Sequence, residues 1–79
     1  MGRMYRLSKK ITKAESQEIL REMKEIKEIE RIGFTQDGVC LLVETPEEKY
    51  PEVLGRAVNI CSRVAHGLEL SFAGFEQAV

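Results

Sequence analysis

Residues 29–44 read Ile-Glu-Arg-Ile-Gly-Phe-Thr-Gln-Asp-Gly-Val-Cys-Leu-Leu-Val-Glu, and this stretch decides the fold. Ile29 to Thr35 has the look of a strand, with Ile32 and Phe34 alternating toward one side. Gln36-Asp37-Gly38 follows, and Asp-Gly is a strong hairpin signal because both residues tolerate a positive φ. Val39 to Glu44 is then almost wholly apolar, the pattern of a strand in the middle of a sheet. Two antiparallel strands are thereby placed side by side, and the sequence on either side has to cover them.

On the N-terminal side, Thr12-Lys13-Ala14-Glu15 is a capping-box pattern: Thr, then Glu three residues on. The Thr12 hydroxyl can accept from a free backbone N–H and Glu15 can return the bond. A helix is expected from there to about Lys27. Its Ile19, Met23 and Ile26 are spaced four and three apart and share a face, while Glu, Arg and Lys form a solvated opposite face. Before it, Met4 to Ser8 reads as a short strand with Tyr5 and Leu7 on one side. On the C-terminal side, Thr45-Pro46-Glu47-Glu48 repeats the capping logic. Pro51 would remove a hydrogen bond inside a helix, so a turn is expected first and the main helix from about Pro51 to Ala65. Tyr50, Glu47 and Glu48 are helix-start residues on this reading. Leu54, Val58, Cys61 and Ala65 are the expected buried stripe, and His66-Gly67 the stop. Leu68, Leu70 and Phe72 alternate on a last strand. Residues 73–79 are weakly patterned, a tail or the start of a linker.

The order is therefore β-α-β-β-α-β. Two right-handed β-α-β units interleave into an α+β, ferredoxin-like sandwich: a four-stranded antiparallel sheet with two helices on one face. Residues 1–79 are read as one such domain with its core at about 4–72. That size leaves room for one core and none for a separate catalytic domain with a lid. The net charge of −1 gives no reason to expect nucleic acid. No apolar run approaches the roughly 20 residues of a membrane span, and MGRMYR lacks a signal peptide's apolar region. Cys40 and Cys61 form no CxxC pattern and read as two reduced, largely buried thiols of a cytoplasmic protein.

Nothing points to catalysis. Ser8, Ser16, Ser62 and Ser71 lack a nucleophile's context, and His66 is the sole histidine. RNA-recognition modules of this topology stack bases on aromatic residues of the central strands, whereas Val39 to Val43 contains none. The basic stretch Arg3, Arg6, Lys9, Lys10 and Lys13 reads as a solvated edge with some affinity for an anionic partner.

The stretch from Tyr5 to Phe34 resembles the heavy-metal-associated domain, the cytosolic module of copper chaperones and of the N-terminal regions of metal-transporting P-type ATPases. That family reads Leu-x-Gly-Met-x-Cys-x-x-Cys-x-x-x-Ile, then apolar residues four and three further on, then Gly-Val before the second strand. Leu7, Ile19, Met23, Ile26 and Ile29 fill the apolar positions, and Ile32 and Phe34 the inward positions of the second strand. The two cysteines of the motif fall on Thr12 and Glu15, and the Gly-Met pair on Lys9 and Lys10. Copper(I) is held by soft thiolates; a hydroxyl and a carboxylate are hard donors. The resemblance therefore implies a degenerate member in which the metal loop has become a helix start. No metal is expected at Thr12 and Glu15, and no cofactor beyond weak zinc at Glu15 and His66. The expected role is non-catalytic docking or regulation within a metal- or cation-transporting ATPase. Its expected partners are other cytosolic domains of that polypeptide, with the domain itself a monomer that neither inserts into the membrane nor binds nucleic acid. Two alternatives are a small-ligand-sensing regulatory module of the same topology, which would dimerise, and a stand-alone protein-interaction domain.

Overall fold

The first strand of the chain lies inside the sheet, flanked by the third and the fourth. The structure is a computed structural model and describes residues 2–76. Its elements are β1 (Arg3–Leu7), α1 (Lys13–Met23), β2 (Arg31–Phe34), β3 (Cys40–Glu44), a 3-10 turn (Glu47–Lys49), α2 (Tyr50–Val64) and β4 (Leu70–Phe75). Strand order is β2-β3-β1-β4 and every neighbouring pair is antiparallel, the α+β ferredoxin-like arrangement. Among the described residues no helix is long and apolar enough to cross a membrane.

Strand alternation sorts the residues. Tyr5 and Leu7 of β1 and Leu41 and Val43 of β3 are buried, on the side that α1 and α2 cover. Helix α1 contributes Ile19 and Met23; α2 contributes Val53, Ala57, Ile60 and Cys61. Each large apolar side chain so buried contributes roughly 1.5–3 kcal/mol relative to exposure. Cys40, Leu42 and Glu44 take the other face. Cys40 and Cys61 thus lie on opposite sides of the sheet.

Several elements differ from the sequence reading. The stripe expected on α2 is half right: Cys61 and Ala65 are buried, but Val53, Ala57 and Ile60 fill the rest of the core-facing side, Leu54 is half-buried, and Val58 is 41% exposed. The apolar arc of this helix is broad, opposite a polar stripe of Glu52, Arg56, Asn59 and Arg63, so spacing alone fits more than one line of residues within that arc. Helix α1 stops at Met23, and single turns (Glu25 N–H to Glu22, Ile26 N–H to Met23) carry the chain on to bury Ile26. Thr45 caps nothing. Its hydroxyl donates 2.7 Å to the Glu28 carbonyl, and it is buried there between the two halves of the chain. Pro51 sits in the first turn of α2, where a missing N–H costs nothing. Strand β4 runs to Phe75, so residues 73–75 belong to the sheet and not to a tail; 77–79 lie outside the described residues.

Candidate functional site

The loop from Ser8 to Thr12 joins β1 to α1. Here it ends in a completed helix cap. Glu15 N–H donates 3.0 Å to Thr12 Oγ1, and Thr12 N–H donates 2.8 Å to Glu15 Oε1. Both bonds satisfy amides that the first turn of a helix leaves free. The two side chains are thereby committed to backbone donors, in the extended N-cap geometry (φ −77°, ψ 163°) that the pattern requires.

The turn after α2 lies against this loop. Ser8 N–H donates to the Glu69 carbonyl (3.0 Å) and Glu69 N–H to Ser8 Oγ (2.8 Å), while Lys9 Nζ donates to the His66 carbonyl. Gly67, at φ 79°, makes the left-handed step that turns the chain here. His66 is therefore beside the loop, as its place after the second helix suggests. Its ring is exposed and makes no hydrogen bond among the described residues. Among those residues no group of three or more His, Cys, Asp and Glu is arranged to hold a metal ion.

The basic stretch is divided by strand alternation. Arg3 turns toward the helices, where its guanidinium lies 4.0 Å from the Tyr50 ring centroid and 5.7 Å from that of Phe75 and meets Glu47 at 3.3 Å. Arg6, Lys9 and Lys10 stay at the opposite end of β1 and line a cleft of about 370 Å³. Its other wall is the β2–β3 hairpin tip, Asp37-Gly38-Val39, drawn in by the Leu7 N–H to Val39 carbonyl bond (2.9 Å). The Asp37 carboxylate accepts from the Thr35 hydroxyl (2.6 Å) and the Val39 N–H (3.0 Å), and these bonds hold it below the usual aspartate range.

The sequence reading missed a third feature, an apolar strip along the β4 edge. Phe72 and Phe75 are 54% and 51% exposed, stack edge-to-face at 5.4 Å, and stand on the same side as the exposed Val58. A register shift between Met4 and Tyr5 puts Phe75 opposite Arg3 and Phe72 opposite Tyr5, so both rings face the helix side although they are three residues apart. Alternation alone would have set them on opposite faces.

No protein-family model matches the chain, and neither a curated protein nor a solved structure matches it.

Proposed function

We propose that this chain is a non-catalytic docking or regulatory domain of the heavy-metal-associated type, belonging to a metal- or cation-transporting P-type ATPase and acting in the cytoplasm without delivering metal. The observation that carries the reading is the reciprocal Thr12–Glu15 cap at the metal loop's position. It gives those two residues a structural role in place of a thiolate pair. Cys61 is buried in the core and Cys40 is on the other face of the sheet, so the two cannot meet as a thiolate pair without unpacking the fold. The β4 strip of Phe72, Phe75 and Val58 is the surface offered to another cytosolic domain of the same polypeptide.

Competition with a copper(I) chelator tests the first half: the folded, reduced domain should take up no stoichiometric copper, and uptake at one ion per domain overturns the reading. Zinc should at most shift NMR signals of Glu15 and His66 weakly. The reading frame that encodes the domain tests the second half, since membrane spans and a phosphorylatable Asp motif should lie in the same polypeptide. A frame with neither removes the transporter assignment.

A further inference from the structure

Most arginines of this chain are spoken for. Arg3, Arg21, Arg31 and Arg63 each bind a glutamate. Around the cleft between the β1–α1 loop and the hairpin tip the pattern reverses. Arg6 and Lys10 have no carboxylate partner among the described residues, and Lys9 has only a carbonyl oxygen, which leaves its charge uncompensated. The one acid of the cleft, Asp37, is turned into its own hairpin by Thr35 and Val39. Three cations against one carboxylate leave a surplus of two positive charges facing about 370 Å³.

We infer that this cleft binds a phosphate monoester dianion. The surplus of two matches a dianion better than a single carboxylate, since a monoester carries close to two negative charges at neutral pH. A guanidinium fork with two ammonium groups is a common donor set for phosphate oxygens. The cleft size is that of small-ligand sites. Leu7, Ile11 and Val39 give it apolar walls, and Val39 is partly exposed, so the uncharged part of an ester has a surface to rest on. The glycine at the hairpin tip leaves open space where a Cβ would stand.

The test is an NMR titration of the domain with phenyl phosphate, inorganic phosphate and benzoate at constant ionic strength. Phenyl phosphate should shift Arg6, Lys9, Lys10, Gly38 and Val39 and bind several-fold more tightly than inorganic phosphate, and benzoate should bind at least roughly tenfold more weakly than either. Arg6→Gln and Lys10→Gln, both at exposed positions, should each weaken phenyl phosphate by roughly tenfold with the helical circular dichroism unchanged; Lys27→Gln, beyond the far end of α1, should leave it alone. Benzoate binding as tightly as phenyl phosphate overturns the assignment to a dianion. Shifts spread equally over Lys24, Lys27 and Arg56 overturn the site itself, because they would mark nonspecific ion association. Vesicles carrying phosphatidic acid form a separate arm: competition with phenyl phosphate at the same residues would make the lipid headgroup the source of the monoester, and its absence would leave a free one.

Discussion

Arg31 and Glu76 belong to opposite edges of the sheet, one at the start of β2 and the other just past β4, yet their side chains form a two-pronged ion pair. Strands β3 and β1 lie between them. Arg31 also binds Glu44 at 2.8 Å, so the guanidinium is held by two carboxylates and keeps the Glu44 carboxyl below the usual range. The crossing runs past Gly2. Glu76 N–H donates 2.7 Å to the Gly2 carbonyl, and a Cβ on Gly2 would come within 3.2 Å of Glu76 Oε1 and 3.1 Å of Leu42 Cδ1.

Gly2→Ala should therefore disturb this crossing without unfolding the domain, because both crowded atoms end flexible side chains. The expected readout is a changed Arg31 side-chain signal by NMR. In a Glu76→Gln background the same substitution should have a smaller effect, and equal effects in both backgrounds would show that Gly2 does not serve the pair.

The helix cap gives a second expectation. Thr12→Ala should destabilise the domain by about 1 kcal/mol, and Glu15→Ala by part of that. Since each side chain supports the other's position, the double variant should lose less than the sum. Urea melts of the three variants decide it, and strict additivity would count against reciprocity.

Helix α2 offers a contrast within three residues. Ile60 is 8% exposed and Val58 is 41% exposed. Ile60→Ala should cost about 2–5 kcal/mol through lost burial and a residual cavity. Val58→Ala should cost within about 0.5 kcal/mol, as surface changes do. If the order of the two costs were reversed in thermal melts, the helix would have to be rotated about its axis.

The thiols should differ sharply. Burial pushes the Cys61 thiol up to about 11, and its side chain has no contact with solvent. Cys40, half-buried on the other face, is the more accessible. At pH 8 a thiol reagent should label Cys40 in the native protein and Cys61 only at the rate of unfolding. Rapid double labelling below the denaturation midpoint would contradict the packing of α2 on the sheet.

How much of this was legible in the chain depended on the range of the interaction. The Thr12–Glu15 cap is local, three residues apart, and was read correctly from the pattern alone. The same holds for the hairpin, where Gly38 takes φ 74° while Asp37 stays at negative φ and binds the turn through its side chain. The face of α2 was not legible, because Leu54 and Val58 are spaced as well for burial as Val53 and Ala57, and only packing against the sheet chooses. The end of strand β4 is not legible because Ala73-Gly74 alternates poorly; its pairing with the distant β1, and the register shift that turns Phe75, leave no local trace. The basic run was visible, but the hairpin wall that makes a cleft of part of it was supplied by residues thirty positions away.

The strand order also has a consequence for synthesis. Within the described residues, strand β1 is made before the other elements of the domain, but one of its two hydrogen-bonding edges is completed only by Leu70–Phe75, made after them. The pairing of Arg3 with Phe75 closes a loop of nearly the whole domain, a contact that is expensive in entropy and slow to form. On the ribosome the first five-residue strand must therefore wait with an open edge until the final one clears the exit tunnel. The domain should fold in a single late step after β4 emerges, and chains interrupted before Leu70 should stay sensitive to protease.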